Sequence, residues 1–402
     1  MAESRIITAG YISIDVTPAF PAEHYQGRTL EDVIRPGKLR EVGRAETSPG
    51  GCVSNTGLAL HVLGAEVSLV AKVGDDSFGR MIRDAYEKRG APVDFIVSKD
   101  VETSYTIVIS VPGNDRCFLV DAGANDHFYP EDLNMEEAAG AQYFHFGYPA
   151  LMRSFYQDGG VRLAKMYRSM QETGLITSLD TAMPDAGSES GKADWEGLLA
   201  KTLPYVDFFV PSIEELGFML DRERYEYWQE KAARTGEDIC MTLSLEEDVR
   251  PLAGKALEMG CGSVLLKCGA AGMYFLSSSE EHMVSIGDRF REHAGKCRPE
   301  LAEAKDGVYT GIGWGDRDFF QDSYRPDRIL SGTGAGDTAI AGFLYALSHG
   351  MDPQTCLKVA AGCGSMCITQ YDTLSGLLPI PELMERINSG WELQHFIKDL
   401  TD

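Results

Sequence analysis

Apolar runs of strand length alternate with helix-patterned segments along most of the chain, and this order restricts the fold more than any other feature. The runs are Arg5–Asp15, Tyr143–Gly147, Leu175–Asp180, Phe208–Pro211 and Ser263–Cys268, with Glu66–Val73 as an alternating strand and helical segments such as Val161–Glu172 between them. Strands that are apolar throughout are buried on both faces, and parallel neighbours need a crossover that a helix supplies. The expectation is an α/β fold with a mostly parallel sheet covered on both sides.

Some stretches break the alternation. Val16–Arg44 is rich in Pro, Gly and charge and fits no buried helix, so it reads as a cover outside the main body. Within Val93–Asp121, two β-rich runs (Thr103–Val111 and Arg116–Val120) flank Pro112-Gly-Asn-Asp115, a hairpin signal. Ser277–Asp327 is polar and long for a connection, so it reads as an insertion, with Trp314, Phe319 and Phe320 free to pack onto the body or a partner. No long polar linker divides the 402 residues, and 44% are hydrophobic. One elaborated domain over residues 1–402 is therefore expected.

A formal charge of −24 argues against nucleic acid and anionic membranes as partners. Nine cysteines without metal spacing, and a start lacking a basic segment followed by an apolar core, point to a reduced, cytoplasmic protein. The longest helix-like apolar run, Thr338–Leu347, is too short to span a bilayer.

The chemistry concentrates in Ser331-Gly-Thr-Gly-Ala-Gly-Asp337, a glycine-rich turn leading into a helix expected to begin at about Asp337. Gly334 and Gly336 let backbone N–H groups converge on an anion, and a helix N-terminus adds its positive dipole end. A carboxylate there is either a helix cap or a base that takes a proton from an attacking hydroxyl. The spacing fits neither a dinucleotide loop nor a Walker P-loop.

Other candidates are weaker singly. Asp15 ends the first run, where ligands of parallel sheets gather, or is a plain loop residue. Gly50 and Gly51 permit close backbone approach, and Asn55 sits in the helix that follows and stops at Gly64. Asp75 and Asp76 read as caps, and Glu214 or Glu215 as an acid matched to a helix dipole. Lys267, Gly269 and Gly272 close a strand where a flat ligand could lie. The small residues around Gly364 suit either tight helix packing or the edge of an adenine pocket.

Taken in order, Gly50-Gly51…Asn55 ending at Leu63-Gly64, Lys72-Val-Gly-Asp-Asp-Ser-Phe-Gly79, and Gly334-Ala-Gly-Asp-Thr with Ala341-Gly-Phe resemble the landmarks of the ribokinase-like (PfkB) carbohydrate kinases, over about Ile6 to Pro381. The resemblance implies a three-layer α/β/α sandwich with a small β-lid, for which residues 16–44 and 93–120 are the candidates; the insertion at 277–327 is longer than the family's usual connection. It implies ATP-dependent phosphorylation of a hydroxyl on a sugar or nucleoside. By position, Asp337 would be the catalytic base and the N–H groups of Gly334, Ala335 and Gly336 the anion hole. Asp15, Gly50, Gly51 and Asn55 would hold substrate; Lys267, Gly269, Gly272 and Gly364 the nucleotide; Glu215 would organise Mg²⁺.

The chain departs from the family pattern at Ser331, where some members carry an aspartate that helps bind K⁺, and at Ser212, where an asparagine usually precedes the metal-organising acid. Both departures leave room for a sugar-binding or regulatory protein that has lost turnover. Tyr25 and Tyr105 are aromatics able to stack on a nucleoside base. Arg28, Arg35, Lys38 and Arg40 are cations able to hold a phosphosugar. Pairing of lids into a homodimer is left open.

Overall fold

The structure is a computed structural model that describes residues 4–114, 116–304 and 306–397. Asp115 of the expected turn and residues 1–3 of the start lie outside these. In chain order the strands are β1 (Arg5–Gly10), β2 (Ser13–Pro18), β3 (Ala45–Gly50), β4 (Glu66–Val70), β5 (Lys72–Gly74), β6 (Ile96–Ser98), β7 (Tyr105–Ile109), β8 (Cys117–Asp121), β9 (Tyr143–Gly147), β10 (Ile176–Leu179), β11 (Phe208–Phe209), β12 (Ser263–Lys267), β13 (Gly272–Ser277), β14 (Asp318–Tyr324) and β15 (Leu393–Gln394).

Among the described residues a nine-stranded sheet runs β4-β1-β9-β10-β11-β12-β13-β14-β15. From β4 to β12 the neighbours are parallel; β13, β14 and β15 add antiparallel. Helices supply the crossovers, and the strands between them are apolar and buried, as the alternation predicts. A separate four-stranded sheet, β3-β2-β7-β8, makes the small lid. Its β7–β8 pair is the antiparallel hairpin expected from the turn signal.

The lid differs in detail from the sequence reading. The first apolar run is two strands, because β1 stops at Gly10 (φ +132), where a side chain would meet the Gly147 carbonyl at 2.4 Å. Asp15 therefore sits within β2 of the lid, away from the end of a central strand. Residues 19–44 carry two short helices rather than strands, and β3 follows them.

Ser277–Asp327 is also more regular than expected. It contains the helix Glu280–Cys297 and the strand β14, which joins the central sheet. Met283, Ile286, Phe290 and Ala294 bury one helical face, and Gly287 lets that helix touch the Thr310 backbone. Trp314 packs onto the body, with ring centroids 5.6 Å from Phe208, 5.8 Å from Phe275 and 5.4 Å from Tyr309. No helix among the described residues is long and apolar enough to cross a membrane.

Candidate active site

The helix Ala335–Ser348 begins two residues earlier than the sequence suggests, after Gly334 in the left-handed region (φ +73). A Cβ on Gly334 would lie 2.3 Å from the Thr373 methyl, so both backbone and space demand glycine. Asp337 is thus inside the first turn and does not cap its own helix. Its buried carboxylate turns instead to three donors: Asn55 Nδ2 at 3.1 Å, Thr56 Oγ1 at 3.3 Å, and the Tyr148 hydroxyl at 2.7 and 2.8 Å from its two oxygens. Burial pushes the Asp337 carboxyl above its ordinary value, opposed by Tyr148, Lys267, Asn55 and Thr56. A raised carboxyl holds a proton more readily than an ordinary one, as a proton acceptor needs.

Lys267, at the end of β12, lies beside this turn. Its Nζ is 2.7 Å from Asp180 Oδ1 and 3.7 Å from the position of a Cβ on Gly336. Burial works against the Lys267 charge, but Asp180, Glu215 and Asp337 outweigh it and the net direction is upward. Burial pushes Asp180 up as well, with Lys267 opposing. The ammonium is therefore held charged, facing the N-terminal turn of a helix. By helix geometry the N–H groups of Gly336 and Asp337 have no carbonyl four residues back. The Ala335 N–H makes a long contact, 3.4 Å, with the Gly332 carbonyl.

A cavity of about 610 Å³ opens between the lid sheet and the loops 329–333 and 371–374. Asp15, Ser48, Asn55, Arg116, Ser331 and Thr333 are among its walls. Asn55 joins the two halves of the site, lining the cavity while donating to Asp337. A side chain on Gly50 would fall 2.3 Å from Asp15 Oδ2, so this glycine lets the carboxylate lie across β3. Ser13 Oγ donates to Asp15 at 2.9 Å, and burial raises the Asp15 carboxyl. Gly51 (φ +85) starts the π-helical turn Val53–Gly57 that presents Asn55 and Thr56.

Several expected residues lie elsewhere. Gly272 is buried against β14, where a Cβ would meet the Gln321 carbonyl at 2.2 Å, so it serves strand pairing rather than an open groove. Gly269 is exposed in the turn after β12. Gly364 is partly exposed where the helix Pro353–Cys367 meets the Ala335 carbonyl. Glu215 forms a capping box with Ser212 and accepts from Thr181 Oγ1 at 2.8 Å. Tyr25 packs with Val33, Ile109 and Val111 in a small satellite core, and Tyr105 lies against Phe78; neither lines the cavity. Arg28, Arg35, Lys38 and Arg40 do not line it either; Arg35 pairs with Asp32 and Arg40 reaches the Asp32 and Val33 carbonyls. Ser331 Oγ accepts from Arg116 at 3.3 Å and from the Thr333 N–H at 3.2 Å.

Sequence reasoning missed Thr56 and Tyr148 and gave Asp180 no role. Thr56 follows Asn55 in the glycine-rich segment, and Asp180 and Tyr148 each directly follow a recognisable strand, so strand ends were the available signal. Among the described residues no cluster of three His, Cys, Asp or Glu side chains could hold a metal.

The family model described as pfkB family carbohydrate kinase matches residues 23–288 and 302–380. A sugar kinase of Archaeoglobus fulgidus, described as uncharacterised, is 23% identical over 320 residues, covering 80% of this chain and 98% of that protein. The 5-dehydro-2-deoxygluconokinase of Bacillus subtilis is 22% identical over 342 residues, covering 84% and 86%. In three dimensions, a fructokinase with bound ATP from Xylella fastidiosa superposes with a TM-score of 0.65 at 16% identity, covering 96% of this chain and 99% of that one. With three landmarks in order, a parallel sheet with a small β-lid, and a family match over most of its length, the chain belongs to the pfkB family of carbohydrate kinases and is an ATP-dependent kinase.

Proposed function

We propose that this kinase phosphorylates a hydroxyl of a sugar bound under the lid, with Asp337 as general base. The observation that carries the reading is the Asn55 bridge: one side chain lines the cavity and holds the carboxylate that stands at a helix N-terminus. Asp15, Ser48 and Asn55 offer acceptors and donors for sugar hydroxyls. The acceptor oxygen gives its proton to Asp337 and bonds to the γ-phosphorus of ATP. The bond to the bridging oxygen breaks, and that electron pair leaves on ADP.

The first turn of the Ala335 helix and the Lys267 ammonium face the transferring group, where charge gathers in the transition state. Asp180 orients Lys267. Glu215 would help to hold Mg²⁺, whose charge would offset that of the nucleotide phosphates. With Arg116 and Thr333 engaging Ser331, the reading includes no monovalent cation. Tyr25 and Tyr105 lie outside the cavity, so neither stacks on a bound ligand, while Phe118 and Tyr371 are the aromatics that line it.

A panel of hexoses, sugar acids and nucleosides, assayed for acceptor-dependent ADP release, tests this. A sugar or sugar acid should be turned over, and Asp15→Ala should raise its KM more than it lowers kcat. Tight sugar binding by calorimetry without turnover on any acceptor would instead support the regulatory reading.

A further inference from the structure

Tyr148 is one of two non-glycine residues with positive φ among those described, held at φ 66 and ψ 39 directly after β9. That conformation is disfavoured for a bulky side chain, and such residues persist where the surroundings impose them. The phenol is aimed at the carboxylate of Asp337 and contacts both oxygens. An ionised carboxylate has about four lone-pair positions. Thr56 donates to Oδ1, Asn55 donates to Oδ2, and the one phenol proton of Tyr148 is shared between the two oxygens. In this arrangement the phenol spans both oxygens, the place from which an incoming hydroxyl could reach either of them.

An acceptor hydroxyl that engages the base from that side takes the place of a donor already there. Asn55 and Thr56 are buried in the π-helical turn packed under the site, and a shift of either would move that turn. Tyr148 is the part-exposed member of the three, and it reaches the carboxylate through a single hydroxyl. We propose that Tyr148 is a gate on the catalytic base: its hydroxyl holds the place of the acceptor hydroxyl until the sugar displaces it. Water is small enough to reach the base but makes too few contacts to displace the phenol, so ATP is protected from hydrolysis when no sugar is bound. In that side reaction water would give its proton to Asp337 and its oxygen to the γ-phosphorus, releasing ADP and phosphate.

This inference rests on Asp337 being the base. The other charged or titratable groups acting around that carboxylate are Lys267, Asp180, Cys52 and Cys367. None of them supplies a hydrogen bond that must be exchanged for the acceptor.

The test compares Tyr148→Phe, Tyr148→Leu, Thr56→Val and Asp337→Asn in the full chain, measuring acceptor-free ATP hydrolysis, sugar phosphorylation and the acid limb of kcat/KM. Removing a donor from the carboxylate raises its pKa, so the acid limb should move to higher pH in the Tyr148 variants and in Thr56→Val. Only the Tyr148 variants should raise the ratio of hydrolysis to transfer, by roughly tenfold or more, as expected for loss of a single positioned group. An unchanged ratio in either Tyr148 variant, or an equal rise in Thr56→Val, would overturn the gate. Near-normal turnover by Asp337→Asn would overturn the base assignment itself, whatever the Tyr148 variants do.

Discussion

At the scale of single residues, the site is a balance between burial and donors around Asp337. Burial raises its carboxyl, while Tyr148, Lys267, Asn55 and Thr56 pull it back. As the proposed base, Asp337 must be ionised to work, so kcat/KM should fall as pH drops through its raised pKa. Lys267→Met removes a nearby positive charge, so it should move that acid limb to higher pH. It should also lower transfer by on the order of 10²–10³, as loss of a preorganised charge partner does. A pH–rate profile whose acid limb stays in place in Lys267→Met would show that the ammonium acts elsewhere. Lys267→Arg keeps the charge but not the compact geometry beside Asp180, and should recover the limb better than the rate.

Secondary-structure elements explain how much of this was legible in the sequence. The central strands were readable because burial on both faces makes them largely apolar, with single polar residues such as Thr8 and His145 among them, and β9 matches its expected limits, Tyr143–Gly147. Helix Glu280–Cys297 was not, because its buried positions are interleaved with charged ones and one of them, Gly287, is glycine. Asp15 was recognised as a candidate but placed on the wrong strand, since Gly10 ends β1 through a contact with Gly147, which is distant in sequence. Tyr148 had only its place just after β9 as a signal, because its partner Asp337 lies 189 residues away.

Two substitutions test elements directly. Trp314→Ala should cost about 3–5 kcal/mol in denaturant unfolding, as truncation of a buried aromatic does. A cost below about 1 kcal/mol would mean that residues 277–327 are peripheral to the core. Gly334→Ala combines a left-handed backbone with the Thr373 clash and should cost about 1–3 kcal/mol. It should also lower activity, because it shifts the turn from which Asp337 projects.

At the scale of the molecule, the sheet carries Asp180, Lys267 and Tyr148 at or just beyond the ends of parallel strands, while the lid brings Asp15 across the cavity from Asn55. Acceptor binding should therefore stabilise the lid and the body together. At a hundredfold excess over Kd the expected gain is about 2.7 kcal/mol in unfolding free energy. Amide exchange should slow in the β7–β8 hairpin as well as around Asn55. Protection confined to the body would show that the lid takes no part in binding.

The most direct measurement of the central claim is single-turnover phosphoryl transfer from ATP to the preferred sugar by Asp337→Asn, with ATP and sugar binding measured on the same sample by calorimetry. The account predicts binding close to that of the unaltered protein and transfer slower by on the order of 10²–10⁴. Transfer at a near-normal rate would contradict it.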